Sequence, residues 1–516
     1  MRKWLPFLAL PLVAGTCKSK PPDPMYSWEP ARAAYEGEGY SSVTESSFAS
    51  PMEQPLSTFS VDVDTASYSN VRRFLQDGQA PPADAVRIEE LLNTFEYDDP
   101  APEDGAPFAV RAEVADCPWA PGHQLVRLGL QARRVPMEQV PPLNLVFLVD
   151  TSGSMDEPNK LPLLVASLRM LVHELRPQDQ VAIVTYAGSS ALALPSTPGD
   201  RKQEIVAALN GLGAAGTTNG AGGIQLAYEV ARQARTEGGI SRVLLATDGD
   251  FNVGLTSLQE LEALISRERD GGVFLTVLGL GTGNLQDDTM ELLADKGDGA
   301  YAYLDTLSEA RRVLVEQATG TLLTVARDVK VQVEFNPREV SSYRLIGYDN
   351  RLLAARDFND TQTDAGEIGA GHHVTALYEI VPPGAAAIPG VDPLRYQAAP
   401  APQGPTAALS PAAESGELMQ VKVRYKTPES GDDQPLVFPV LAGSQPVAHA
   451  SESWRWAAAV AAWGMLLRDS AYRGEADWAL VRELASGARG LDPDGYRAEF
   501  LRLVELSATL TPSPGG

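Results

Sequence analysis

Three short segments of this 516-residue chain carry oxygen-bearing side chains at spacings that could hold a cation. The first segment, Asp150-x-Ser152-x-Ser154, directly follows the apolar run LVFLV. Thr218 lies in the glycine-rich run GTTNG, and Asp248 follows the apolar run VLLA and Thr247. Hydroxyl and carboxylate oxygens are the hard ligands that Mg²⁺ prefers. Together the segments indicate a candidate magnesium-like site.

Each segment also has a simpler interpretation. Asp, Ser and Gly form ordinary turns between a strand and a helix. A Ser, Thr or Asp at such a turn often caps the helix that follows. Thr217 and Thr218 both stand where a cap would be, and Asp248 stands where a turn would be. Taken singly these residues do not establish a metal site, and their placement in a common fold decides between the interpretations.

The chain around these segments predicts an α/β fold. Apolar strands alternate with amphipathic helices over residues 139–323, which is typical of a doubly wound, mostly parallel sheet covered by helices. We predict strands at 145–149, 181–186, 243–247, 274–280 and 300–304, with an antiparallel edge strand at 191–195. We predict helices at 161–174, 201–212, 221–237, 257–269, 287–295 and 308–323.

This fold would bring the oxygen-bearing segments together. Asp150 and Asp248 each follow a predicted strand, and Thr218 precedes a predicted helix. In open α/β sheets, ligands bind outside the carboxyl ends of the strands. We therefore expect all three segments at one edge of the sheet.

The flanking regions predict further domains. Residues 56–138 read as an N-terminal α+β module, and residues 324–450 as a β domain with a disordered loop at 382–416. Residues 451–510 carry the apolar spacing of helices and form a helical cap. Strands within 108–130 and those after residue 325 could form one β domain, with the α/β domain inserted between them.

The N-terminus has the pattern of an export signal. Arg2 and Lys3 precede an apolar run, and small residues precede Cys17, so residues 1–17 predict a signal peptide of the lipoprotein type. Conventional cleavage near Gly15 is the alternative. Residues 18–55 predict a disordered tether. A lipidated Cys17 would place the protein at the cell envelope, anchored to a membrane. Cys117 would then have no disulfide partner, and we expect it to be buried.

The charge balance narrows the possible partners. Lys and Arg number 42 and Asp and Glu number 67, which gives a net charge of −25. Such a chain repels phosphate backbones, so we expect no nucleic-acid partner.

The order Asp150-x-Ser152-x-Ser154, Thr218, Asp248 on an α/β domain resembles a von Willebrand factor type A domain with its metal-ion-dependent adhesion site. The resemblance implies that Ser152, Ser154 and Thr218 coordinate the metal through their hydroxyls. It implies that Asp150 and Asp248 act directly or through waters. Thr217 competes with Thr218 for the threonine role, and we prefer Thr218 because it is nearer the helix start.

The flanks resemble those of bacterial exported proteins that carry this domain. The motifs are STFSVDVDT before the domain, and Asn336-Pro337 with YRLIGY after it. The resemblance implies Mg²⁺, or Mn²⁺ or Ca²⁺, as the bound ion, and a protein partner that offers an Asp or Glu as a further metal ligand. We expect a divalent-cation-dependent binding module of the adhesion or scaffold type.

Two other functions remain open. The protein could be a structural envelope protein whose metal site serves only to stabilise the fold. It could also be a metal-dependent hydrolase. We expect no enzyme, because no general base or nucleophile accompanies the metal oxygens in the sequence.

Overall fold

The computed structural model describes residues 37–102, 105–217, 220–249, 258–360, 363, 365–385, 409–427 and 433–511. The predicted signal peptide, Cys17 and the first half of the predicted tether lie outside these ranges. No helix within the described ranges is both long enough and apolar enough to cross a membrane.

A mostly parallel sheet forms the centre of the chain, and it confirms the predicted fold class. Its six described strands are β4 (Leu143–Asp150), β5 (Gln180–Tyr186), β6 (Ser190–Pro198), β7 (Ile240–Thr247), β8 (Val273–Gly279) and β9 (Tyr301–Tyr303). Their spatial order is β6-β5-β4-β7-β8-β9, and β6 is the antiparallel edge strand. Every residue of β4 is buried, as the continuous apolar run at 145–149 predicts for a central strand.

Helices cover both faces of this sheet. They are α3 (Leu161–Glu174), α4 (Lys202–Asn210), α5 (Gly220–Gln233), α6 (Leu258–Asp270), α7 (Asp287–Lys296), α8 (Leu307–Arg311) and α9 (Ala318–Leu322). Leu164 of α3 packs in the core of one face, whereas Ile224 of α5 and Ile265 of α6 pack in the core of the other. The predicted helix boundaries in this domain agree with these to within a few residues, except for the last helix.

The last helix, predicted as continuous over 308–323, is broken. A π-helical turn, Arg312–Glu316, separates α8 from α9, and the amide of Gln317 donates to the carbonyl of Arg312, five residues back. The Arg312 guanidinium donates to the Thr94 carbonyl (3.1 Å) and pairs with Glu309. The apolar periodicity of the segment does not report the contact with Thr94, which is distant in sequence, so the sequence pattern could not show the break.

A two-sheet β domain lies beside the α/β domain. The strands that precede the α/β domain are β1 (Leu56–Ser60), β2 (Phe108–Asp116) and β3 (Gln124–Ala132). Those that follow it are β10 (Thr324–Phe335), β11 (Ser342–Ile346), β12 (Ile368–Gly369), β13 (His373–Val381), β14 (Glu417–Lys426) and β15 (Asp433–Leu441). The sheets have the orders β1-β10-β14-β15, with β12 beside β10, and β11-β13-β3-β2.

Both β sheets combine strands from before and after the α/β domain. Strand β1 pairs with β10, and β3 pairs with β13. The structure therefore confirms that the α/β domain is inserted into a β domain. It also corrects the prediction of a separate module at 56–138, because the strands of that segment complete sheets whose other strands come from 324–441.

The terminal helices also join distant parts of the chain. They are α1 (Ala66–Gln76), α2 (Ile88–Asn93), α10 (Glu452–Leu467), α11 (Trp478–Gly487) and α12 (Tyr496–Leu510). Phe95, after α2, packs edge-on against Trp456 of α10 and Phe500 of α12. The Trp463 indole donates to the Ser507 hydroxyl (3.0 Å). The tryptophans of the helical cap are thus buried core residues, and the indole N–H of Trp463 has a hydrogen-bond partner.

Two segments predicted to lack structure are partly ordered. In the predicted tether, the backbone of Ala49 pairs with Tyr343 in both directions (2.9 Å each), and Gly39 donates to the Leu285 carbonyl (2.8 Å). Residues 37–55 therefore lie against the folded body. In the predicted loop 382–416, residues 386–408 lie outside the described ranges, and Pro411–Glu414 forms a 3₁₀ turn.

Candidate metal centre

The first loop of the site is built by the end of β4. Asp150 is the last residue of this buried strand, and its Oδ1 accepts a hydrogen bond from the Ser152 amide (2.8 Å). That bond turns the chain, and a 3₁₀ turn at Gly153–Asp156 follows. The Ser152 and Ser154 hydroxyl oxygens lie 3.0 Å apart. The sequence D-x-S-x-S thus places two hydroxyls side by side next to a buried carboxylate.

The glycine-rich loop lies directly against this turn. The amide of Gly153 donates to the Gly216 carbonyl (3.0 Å), and the amide of Ala215 donates to the Thr151 carbonyl (2.8 Å). Gly216 has a φ of 88°, a left-handed conformation that glycine adopts without strain. Thr217 follows and is exposed. Thr218 lies outside the described residues, between this loop and the start of α5 at Gly220.

The third loop follows β7, the neighbour of β4. Val149 and Ala246 are paired in register, so Asp150 and Asp248 leave adjacent strands at the same edge of the sheet. Asp248 is fully buried. The Lys160 ammonium donates to Asp248 Oδ2 at 3.1 Å, and Lys160 is itself 4% exposed. The structure thus brings four of the five predicted ligands, and the loop that carries the fifth, to one place.

Lys160 was missed by the sequence analysis. It stands ten positions after Asp150, before α3, in a stretch that reads as an ordinary polar turn. Only its partner, 88 positions away in sequence, gives it a function, and no local pattern shows that pairing.

The electrostatics of the site favour a bound cation. Burial raises the pKa of Asp150 to about 6, and the charge of Asp248 adds to the rise, while hydrogen bonds from Ser152 and Tyr186 oppose it. Asp150 Oδ2 is buried and accepts no hydrogen bond of ordinary geometry from the described residues. A buried carboxylate oxygen without a partner is costly in free energy. A metal ion would supply that partner, so the residues present fit a hard divalent cation.

A second group of carboxylates lies away from this edge. One oxygen each of Asp62, Glu90 and Glu291 lies within 4.8 Å of the others, and all three residues are buried. Arg87 pairs with Glu90 (2.8 Å) and with Glu291 (3.2 Å), and Arg351 pairs with Glu291 (2.9 Å) and with Asp62 (3.4 Å). These carboxylates join the segment after β1, helix α2 and helix α7. We interpret the group as an ion-pair network that attaches the α/β domain to the β domain.

This network predicts a stability that falls as the pH rises. Burial raises the pKa of Glu90 to about 8 and that of Glu291 to about 7, from an ordinary value of 4.5. A carboxyl whose pKa is higher in the folded state stabilises the fold most below its unfolded pKa, and that contribution is lost as the pH passes the folded pKa. The wild type should therefore have a higher free energy of unfolding at about pH 5.5 than at about pH 8.5. We expect E90Q to reduce that difference by on the order of 1–3 kcal/mol.

Urea unfolding at the two pH values measures this effect, and E204Q is the control. Glu204 is exposed and forms a surface pair with Arg201 (3.7 Å). An E90Q protein with the full pH dependence of the wild type would contradict the assignment.

Comparisons with known proteins place the fold in a class. The family described as von Willebrand factor type A domain matches residues 145–250, which span all five predicted ligands. A family described as von Willebrand factor matches residues 34–127. Fold and matches together define the chain as a protein with a von Willebrand factor type A domain.

The relatives define the family more closely. The uncharacterized protein YfbK of Escherichia coli strain K12 is 46% identical over 467 residues, which cover 89% of this chain and 79% of that protein. The family described as uncharacterized protein YfbK, C-terminal, matches residues 320–510. This chain belongs to the YfbK family.

More distant proteins match part of the chain, or match most of it at low sequence identity. The inter-alpha-trypsin inhibitor heavy chain H4 of Bos taurus is 27% identical over 149 residues, which are 27% of this chain and 16% of that protein. A solved von Willebrand factor type A protein from Catenulispora acidiphila is 14% identical, with a TM-score of 0.41, over 80% of this chain and 91% of that one.

Proposed function

We propose that this protein is a divalent-cation-dependent protein-binding module, whose metal accepts a carboxylate from a partner. The observation that carries the proposal is the buried Asp150 carboxylate beside two adjacent serine hydroxyls, with its Oδ2 in a hydrogen bond of ordinary geometry to none of the described residues. The ligands would be Asp150, Ser152, Ser154 and Thr218, with Asp248 acting directly or through water. A bound Mg²⁺ would supply an electrophilic centre for an incoming oxygen ligand.

The chain's own residues favour binding over catalysis. Ser152 and Ser154 present neutral hydroxyls, and Ser154 is exposed at the mouth of the site. Asp248 is fully buried and paired with Lys160, and this pairing disfavours a role as a general base. We therefore propose a non-enzymatic module.

The location is part of the proposal. The N-terminal pattern that ends at Cys17 favours export and a lipid anchor at the cell envelope. With that anchor, the carboxyl edge of the sheet would be offered to acidic partners at the membrane surface.

Affinity purification from envelope extract, run with Mg²⁺ and then with chelator, tests the proposed function. We expect a partner that is retained with Mg²⁺ and released by chelator. T218A should lose this partner, because it removes a metal-binding hydroxyl, whereas T217A should retain it. The matched pair controls for any general effect of changing the glycine-rich loop.

A stabilising role for the metal is the alternative that this experiment addresses. If the ion only braces the fold, chelation lowers the melting temperature of the isolated protein, and the retained proteins are the same with and without Mg²⁺. That result would overturn the proposal in favour of a structural envelope protein.

A further inference from the structure

Lys160 is a buried cation at the back of the candidate metal centre. It is 4% exposed, and its ammonium lies 3.1 Å from Oδ2 of the fully buried Asp248. A lysine is rarely buried unless a carboxylate compensates its charge. Its position therefore depends on Asp248, and Asp248 in turn has its charge balanced without a metal.

The stem of Lys160 is fixed in place by the loop after β8. A Cβ on Gly281 would lie 2.2–2.8 Å from three carbons of the Lys160 side chain, so the stem crosses the glycine backbone in direct contact. Gly281 has a φ of 75°, which also favours glycine. The Tyr303 hydroxyl donates to the Gly281 carbonyl and holds that loop in position. Close packing along its stem leaves the ammonium little room to move away from Asp248.

We propose that Lys160 is a fixed counter-charge that makes the metal centre selective for an anionic partner ligand. This inference rests on the proposed function and specifies the partner chemistry. With Asp248 neutralised by Lys160, Asp150 is, among the predicted ligands that the structure describes, the carboxylate whose charge Lys160 does not compensate. A divalent ion held by one net negative charge and neutral hydroxyls keeps an excess positive charge. It attracts a carboxylate more strongly than a neutral amide or water.

The proposal predicts opposite changes in two affinities. K160M removes the positive charge that balances the Asp248 carboxylate. The metal-stripped K160M protein should therefore bind Mg²⁺ at least about tenfold more tightly than the wild type. The more strongly neutralised metal should then bind acetate about tenfold more weakly. K160R keeps the charge and should resemble the wild type in both affinities more closely than K160M does.

The experiment is calorimetric titration of the full chain with Mg²⁺, followed by titration of the Mg²⁺-saturated protein with acetate. K202M is the matched control, because the Lys202 ammonium donates to the backbone carbonyl of His173 at an exposed position away from the proposed ligands. Circular dichroism confirms that each variant is folded. If K160M does not fold, K160Q, which retains a hydrogen-bond donor, gives the same comparison.

Each outcome decides the proposal. Tighter Mg²⁺ binding together with weaker acetate binding supports it. Tighter Mg²⁺ binding with unchanged acetate affinity means that Lys160 is a placeholder displaced by the metal, and it overturns the proposal while leaving the proposed function intact. Unchanged or weaker Mg²⁺ binding by folded K160M also overturns it. A wild-type protein that binds no Mg²⁺ overturns both this inference and the proposed function.

Discussion

Replacing Asp150 by alanine is expected to weaken Mg²⁺ binding by more than about 100-fold, since even residues that only support metal ligands contribute 10–100-fold. Asp150 supplies the buried carboxylate that Lys160 does not neutralise, and its Oδ1 also holds the Ser152 amide in the turn that positions both serines. Loss of the side chain removes a ligand and loosens two others. Calorimetric titration of the metal-stripped protein measures the effect.

E157A is the control for this substitution. Glu157 lies on the same loop and is exposed, so removing its charge changes the field near the site without removing a proposed ligand. Its Mg²⁺ affinity should stay within a few-fold of the wild type. A folded D150A protein that binds Mg²⁺ as tightly as the wild type would show that the ion is bound elsewhere.

Replacing Arg72 by methionine is expected to lower the free energy of unfolding by about 3–5 kcal/mol, the usual cost of leaving buried charges without their partner. Arg72 is 1% exposed and pairs with Asp305, with Glu309 of α8 (3.0 Å) and with Glu499 of α12 (2.8 Å). Methionine fills the space of the stem but removes the guanidinium from all three carboxylates, of which Glu309 keeps its pair with Arg312. Urea unfolding at neutral pH measures the loss.

An exposed ion pair near the same helix provides the comparison. Arg311 is 63% exposed and pairs with Glu316 (2.9 Å). R311M should change the unfolding free energy by less than about 1 kcal/mol, as exposed pairs usually do. If R72M were as mild as R311M, the network would not join α8 to the terminal helices. The last helix of the α/β domain would then be free to move independently of α1 and α12.

The sequence predicted the α/β domain closely because its elements have strong local patterns. Strand β4 is a continuous apolar run buried on both faces, and α3 begins and ends where its 3.6-residue spacing does. Even the edge strand β6 showed as a short alternation of leucine with alanine. In each case the residues that form the element also carry the pattern that identifies it.

The parts that escaped prediction depend on distant contacts. Strand β15 contains Pro435 and Pro439, which argue against a strand, yet it pairs with β14 at the sheet edge, where proline is tolerated. Residues 37–55 have little apolar periodicity and are ordered by backbone pairing with residues such as Tyr343. Local composition does not contain that information.

The residues of the candidate site also fall into those with a local sequence signal and those without one. Asp150 and Asp248 were placed correctly because each directly follows a strong strand signal. Lys160 and the network around Glu90 and Arg351 could not be found, because their partners lie far away in the sequence and a polar residue in a turn looks exposed until the fold is known. The assignment of all five residues as metal ligands remains a prediction, and Thr218 in addition lies outside the described part of the chain.

The central claim is that a bound divalent ion keeps exchangeable positions that accept a carboxylate. Water-proton relaxation with Mn²⁺ as the probe tests it most directly. The account predicts that relaxation is enhanced when Mn²⁺ binds the metal-stripped protein, because the bound ion retains exchanging waters. It also predicts that acetate, but not acetamide, lowers the enhancement as it displaces them. An absence of enhancement, or an enhancement that acetate leaves unchanged, would contradict the account.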